Sequence, residues 1–385
     1  MRDSVGPMAR RTVAYIYPYA FQYRLPFHEH LRQVLDSHDV EYRFIYCSNP
    51  HFLSRGDFIP PAWGTDTNCS YAKIGGAELR YQHALGQALK LDLVIVQQEN
   101  GLLLNYPLQV LSRLTGRKVA FFGHGRNFQG GGQKTLRERF KRFWMNKVDW
   151  WFAYTQRSAD IVAQAGFPAD RITVFNNAID TSAIQAELAA VPEAEKTAVR
   201  TARFAGSENI GVFIGGLYDL KRIDFLIESA IRVRQRVPDF QLMIIGGGPD
   251  AALVQTAAGQ YPWIHALGPQ FGREKTLLAS LGRVFLMPGL VGLGVLDSFV
   301  YGTPMVTTDV PYHSPEIDYL KDGVNGVIVS EADSVDAYAA AVERILIEDT
   351  WRERLRAGAA EGLETYTIEA MAQRFADGVM KALNR

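Results

Sequence analysis

The stretch Phe285 to Ile317, FLMPGLVGLGVLDSFVYGTPMVTTDVPYHSPEI, decides how this chain is read. The apolar run Val284 to Met287 predicts a short buried strand. Pro288 ends it, and Gly289, Gly292 and Gly294 follow in a loop where backbone can approach a ligand closely. A helix is predicted from about Val295, with Asp297 in its first turn. Gly302-Thr303-Pro304 closes it, and Met305 to Thr308 predicts the next strand. A glycine loop feeding a helix N-terminus offers unpaired N–H groups and a positive dipole end, which suits an anion such as a diphosphate.

On both sides of this stretch the same alternation recurs. Thr12 to Tyr17, Tyr42 to Tyr46, Leu91 to Gln97, Lys118 to Phe122, Trp150 to Tyr154 and Ile172 to Phe175 predict buried strands, with helices at Leu25 to Leu35 and Ala159 to Ala165. The polar, Ala- and Glu-rich segment Ala183 to Ala205 predicts a helical connector. The alternation then restarts with strands Ile210 to Ile214, Gln241 to Ile245, Ile264 to Leu267 and Val327 to Val329, and a helix from Arg222 to Arg236. Alternating strands and helices imply parallel sheets covered on both faces, with ligands at the strand C-terminal ends. The expected fold class is therefore α/β, with two doubly wound Rossmann-like domains facing a cleft. The boundaries are residues 1–182, a connector at 183–205, a second domain at 206–365, and a final helix at 366–385 returning to the first domain.

A length of 385 residues suits two domains, and 47% apolar with 21% charged residues is a globular composition. Lys+Arg and Asp+Glu both number 41, so no global charge argues for a nucleic-acid partner. Cys47 and Cys69 alone give no disulfide framework, which fits a reducing cytosol. The longest near-apolar run, Val284 to Leu296, holds Pro288 and three glycines and is too short to span a bilayer. The chain is expected to be cytoplasmic, either free or peripheral at the inner face of the membrane. No cluster of His, Asp and Cys has metal-ligand spacing, so no metal or other cofactor is expected.

The 285–317 stretch resembles the nucleotide-sugar motif of glycosyltransferase family 4 (group 1), retaining enzymes of GT-B fold. That motif has two glutamates separated by seven residues, then a helix, Gly-Thr-Pro and a strand. Counting back from Gly302, the second glutamate falls on Asp297 and the first on Gly289. The resemblance continues in Ile214-Gly215-Gly216-Leu217-Tyr218-Asp219-Leu220-Lys221-Arg222, where the family's diphosphate-binding lysine maps onto Lys221 and its arginine onto Gly216. It implies a nucleotide-diphosphate sugar donor held by Gly216, Lys221, Arg222, Gly268, Gly292, Gly294, Asp297 and His313. Catalytic roles fall on His124, Lys221 and Asp297. His124, in Phe122-Gly123-His124-Gly125-Arg126, takes the position of the family's histidine near the transferred sugar.

In the first domain, the loop Tyr17-Pro18-Tyr19-Ala20-Phe21-Gln22-Tyr23-Arg24 is unusually aromatic, and aromatic faces pack against sugar rings. Tyr19, Tyr23, Arg24, Glu99 and Arg126 are the acceptor-binding candidates, with Arg24 placed to meet a phosphate. Val174-Phe175-Asn176-Asn177-Ala178-Ile179-Asp180 resembles the family's strand-Asn-x-x-Asp marker at the end of the first domain and is read here as structural. Residues 133–151 hold six basic residues against Glu138 and Asp149, with apolar residues at helical spacing. This segment either lies on an anionic membrane or docks its apolar stripe into the first domain.

The leading expectation is a retaining, metal-independent glycosyltransferase of polysaccharide biosynthesis, moving a sugar to a glycan or lipid-linked glycan acceptor. The alternative is a catalytically inactive nucleotide-sugar or glycan-binding protein of the same fold, argued from Gly289 and Gly216 where the family has glutamate and arginine.

Overall fold

A computed structural model describes residues 10–48, 58–74, 77–125 and 143–385. These residues divide into two compact units: residues up to 125 and 143–179 with 368–385, and residues 180–367. Each is built on one parallel sheet.

The first unit runs β1 (Arg11–Ile16), β2 (Val40–Tyr46), β3 (Thr65–Asp66), β4 (Cys69–Ile74), β5 (Ala77–Gln82), β6 (Leu93–Gln97), β7 (Lys118–Gly123), β8 (Trp150–Ala153) and β9 (Ile172–Val174). Its parallel sheet has the order β3-β2-β1-β6-β7-β8-β9. Strands such as LVIVQ and WWFA are buried along their whole length, as a sheet covered on both faces requires. The final helix Ile368–Asn384 belongs to this unit. Its Phe375, fully buried, stacks on Phe152 at 4.0 Å and meets Phe27 edge-on at 5.3 Å. Burying one such side chain contributes about 1.5–3 kcal/mol.

In the second unit, β10 (Ile210–Ile214), β11 (Gln241–Ile245), β12 (Ile264–Gly268), β13 (Val284–Met287), β14 (Met305–Thr308) and β15 (Gly326–Val329) form a parallel sheet ordered β12-β11-β10-β13-β14-β15. The helices Thr181–Ala189 and Glu193–Arg203 are packed into this unit. Thr276 donates to Glu187, and Arg273 pairs with Glu195. In each sheet the strand order reverses once, between β1 and β6 and between β10 and β13. Doubly wound sheets hold ligands at the carboxyl ends of the strands flanking such a reversal.

Two sequence expectations change. The antiparallel hairpin β4–β5, exposed along β4 and half-buried along β5, carries no continuous apolar run and was not predicted. It opens on Cys69, which is disulfide-bonded to Cys47, so the reading that the two cysteines give no disulfide is overturned. The bond closes a loop of 22 residues between the end of β2 and the hairpin, a constraint worth about 3 kcal/mol in the chain-entropy account. Reduction, or the Cys47→Ser variant, is expected to lower stability by about that amount in urea unfolding. An unchanged midpoint would refute this.

Most of the basic segment 133–151 lies outside the described residues. Its end docks inward, with Met145, Val148 and Trp151 in the first unit's core. Among the described residues no helix is long and apolar enough to cross a membrane.

Candidate functional site

The β10 and β13 loops meet at the second sheet's reversal point. After β10, Gly215 to Tyr218 lead into a 3-10 turn, Asp219–Lys221, and Arg222 adopts the left-handed conformation (φ 56°) before the helix Ile223–Arg236. The β13 loop is tied to this turn twice. Leu290 N–H donates to the Leu220 carbonyl at 2.8 Å, and the Lys221 ammonium donates to the Leu290 carbonyl at 2.5 Å. Gly289 sits where the two segments touch: a Cβ there would lie 2.2 Å from the Leu220 oxygen and 2.7 Å from Lys221 Cα. Glycine is required by that approach.

Lys221 is only 8% exposed, and among the described residues no carboxylate lies within ion-pair distance of it. Burial pushes its pKa down to about 8. A buried ammonium held among the described residues by a carbonyl, a thioether 3.6 Å away and the face of Tyr218 at 5.8 Å is a charge still lacking its counter-ion.

Gly292 and Gly294 border the start of the short helix Gly294–Val300, and a Cβ at either would make only ordinary contacts. Packing within the protein therefore does not demand glycine at these two positions. His313 lies beneath the same loop. Its Nδ1 accepts from Val291 N–H at 3.0 Å and its Nε2 donates to the Thr308 carbonyl at 2.8 Å, which fixes the neutral tautomer. One nitrogen is thus taken by the loop backbone and the other by the end of β14. Arg222 is already engaged: it donates to the Ala332 carbonyl at 2.6 Å and to Thr308 Oγ1 at 3.3 Å, and pairs with Asp333 at 2.8 Å. It does not replace an arginine at Gly216. Gly268 ends β12 in the left-handed region (φ 67°), its carbonyl accepting from Gly246 N–H.

Asp297 accepts from Lys275 at 2.9 Å, a partner the sequence reading missed. Lys275 lies on the helix Gly272–Ala279. Burial works against its charge, yet Asp297, Tyr301 and Glu187 together carry its pKa above the usual lysine value. No motif marks Lys275; only the fold brings it to Asp297.

The first unit gathers its candidates at the C-terminal ends of its strands. His124, after β7, stacks on Tyr154, after β8, with ring centroids 4.0 Å apart. Gly125 beside it is left-handed (φ 72°), and a Cβ would meet Val162 at 2.7 Å. Arg24 is buried against the faces of Tyr23, Phe122 and Tyr154, and it donates to Asn177 Oδ1 at 2.5 Å and to Tyr154 Oη at 3.5 Å. Tyr19 is buried, stacked on Phe21, with Arg80 over its ring. Tyr23 is exposed. Glu99 accepts from Tyr17 Oη at 3.0 Å and lies 3.5 Å from Arg80. Burial raises its pKa, against the opposing pull of Tyr17 and Arg80. Arg126 lies outside the described residues. Tyr154, just after β8, joins the cluster unannounced by sequence, and Asn177, read from the sequence as part of a structural marker, joins it as the partner of Arg24. Among the described residues no group of three or more His, Cys, Asp or Glu is placed to hold a metal ion.

The family model described as "Glycosyltransferase Family 4" matches residues 29–183, and "Glycosyl transferases group 1" matches residues 208–348. The phosphatidyl-myo-inositol mannosyltransferase of Mycobacterium leprae is 28% identical over 180 residues, covering 45% of this chain and 47% of that protein. The GDP-mannose-dependent alpha-mannosyltransferase of Corynebacterium glutamicum is 30% identical over 181 residues, 45% of this chain and 41% of that one. The chain thus spans less than half the length of these curated relatives. Among solved structures, HepE of Anabaena in complex with UDP superposes with a TM-score of 0.72 at 13% identity, covering 96% of this chain and 100% of that one. The sucrose-phosphate synthase of Thermosynechococcus elongatus does so with a TM-score of 0.68 at 14% identity, covering 97% and 99%. At such identities the likeness is one of fold.

Proposed function

We propose that this chain, which belongs to the family 4 (group 1) glycosyltransferases of GT-B fold, transfers a sugar from a nucleotide-diphosphate donor to a glycan or lipid-linked glycan. Transfer proceeds with retention at the anomeric carbon and without a bound metal ion. The observation that carries the reading is Lys221, a buried ammonium with no carboxylate partner among the described residues, at the reversal point of the second sheet. A diphosphate supplies the missing counter-charge, and a cation fixed in place before reaction stabilises the charge growing on the leaving group. Gly292 and Gly294 leave backbone N–H groups open to the same phosphates. Asp297, engaged with Lys275 through one oxygen, turns the other to the ribose hydroxyls. Gly268 reads the base through its backbone. On the first unit, His124 and Tyr19, with Tyr23, Arg24 and Glu99, serve the sugar and acceptor.

Relatives whose names specify GDP-mannose or an inositol acceptor, and a fold neighbour solved with UDP, set the donors to try. Calorimetric titration of UDP, GDP, ADP and their sugars, with chelator present, is expected to give saturable binding of one base series. Binding by none of them overturns the donor site. Binding followed by no transfer to any glycan or lipid-linked glycan favours an inactive nucleotide-sugar-binding protein, the reading that Gly289 and Gly216 support.

A further inference from the structure

Arg24 presents a second charge without a counter-charge. The residue is 8% exposed, and among the described residues no carboxylate lies within ion-pair distance. A guanidinium carries five N–H donors in a planar fork, and here they engage only neutral partners: Asn177 Oδ1, the Tyr154 hydroxyl at 3.5 Å and the Tyr23 hydroxyl. The surrounding groups are neutral. Three ring faces stand 5.1–5.7 Å away. Tyr15 is held as its phenol because burial raises its pKa. His28 is held as neutral imidazole, its pKa pushed down to about 3 by burial and by Arg24 itself. Aromatic faces attract a cation but do not neutralise it, and a buried unpaired charge costs several kcal/mol. The guanidinium nevertheless borders a small recess of about 40 Å³ walled by Tyr15, Tyr17, Tyr19 and Tyr23, beside Gln97, with Tyr23 exposed at its edge. That recess lies at the reversal point between β1 and β6.

We infer that this recess is an oxyanion subsite, in which Arg24 grips a phosphate ester or carboxylate carried by the acceptor while the attached ring lies outside it against the exposed Tyr23. The forked guanidinium matches the two oxygens of either group. The subsite rests on the geometry of Arg24; assigning it to the acceptor rests on the transferase reading above.

The test uses the full chain saturated with UDP, so that free phosphate cannot occupy the donor site. Glucose, glucose 1-phosphate and glucuronate are titrated, and vesicles of phosphatidylcholine with and without phosphatidic acid are sedimented with the protein. The expected result is binding of at least one anionic probe at least tenfold tighter than glucose. The Arg24→Gln variant is expected to lose that margin while keeping wild-type affinity for UDP. Lys221→Ala should do the reverse, so failure of the donor site and failure of this subsite give different patterns. Preference for glucose 1-phosphate or glucuronate identifies a soluble anionic acceptor; Arg24-dependent retention on phosphatidic acid identifies a lipid phosphate. Equal affinity for glucose and every anionic probe, with no vesicle preference, overturns the proposal. So does an Arg24→Gln variant, folded by circular dichroism, that binds the anions as the wild type does. If that variant does not fold, the wild-type comparison of anionic and neutral probes decides alone.

Discussion

Lys221→Ala is expected to lower kcat/KM for the nucleotide-sugar donor by about 10²–10³, the range seen when one fixed donor to a developing anion is removed. Stability should hold or rise, because the substitution removes a buried cation that has no carboxylate partner among the described residues. A structural lysine would behave in the opposite way, losing stability along with activity. The pH dependence adds a second signature. The Lys221 pKa lies at about 8 in the free protein, lowered by burial. The charged form that a diphosphate needs therefore predominates at pH 7 and falls to about a tenth at pH 9. Donor kcat/KM in the wild type is expected to decline as pH rises through about 8, and the bound diphosphate should move the decline in kcat to higher pH. In Lys221→Ala the decline in kcat/KM near pH 8 should vanish. A variant with wild-type turnover, or one that keeps the same alkaline limb, would remove Lys221 from the site.

The parallel strands were legible because strands covered on both faces must be continuous apolar runs. VFLM, MVTT, QLMII and IGVFI all became strands at the predicted residues. The exposed strand CSYAKI was not, since β-structure without a buried face writes no apolar pattern. The disulfide escaped for a related reason: spacing along the chain does not say whether two Cα atoms come within bonding range. In the site, Lys221 was legible from its glycine turn, a local feature. The settings of Asp297 and Arg24 were not, because their partners arrive by folding. Lys275 stands 22 residues before Asp297, and Asn177 stands 153 after Arg24. His313 shows the limit of proximity as evidence: its place after the glycine loop suggested a ligand, but both of its nitrogens are occupied by backbone.

Gly289 gives the sharpest case. Compared with the family motif it reads as a lost glutamate, and restoring that residue would look like a repair. The structure predicts the opposite. A Cβ at 289 would stand 2.2 Å from the Leu220 carbonyl oxygen and 2.6 Å from the Lys221 carbonyl carbon, contacts with backbone that no rotamer change relieves. The loop would have to lift away. Lifting breaks the Leu290 N–H bond to Leu220 and the Lys221 bond to the Leu290 carbonyl, which together place the ammonium. Gly289→Ala alone is expected to cost about 2–3 kcal/mol, as overpacking does. Gly289→Glu should cost more, since it also brings a carboxylate into a closely packed turn. Donor binding should fall in both variants, with Ala and Glu ranked by stability rather than by charge. Urea unfolding and calorimetry with the bound nucleotide diphosphate measure the two effects side by side. Were Gly289→Glu to keep its unfolding midpoint and bind donor more tightly, the loop would be free to adopt the family's geometry. The glycine would then be a loss of function rather than a requirement of the fold.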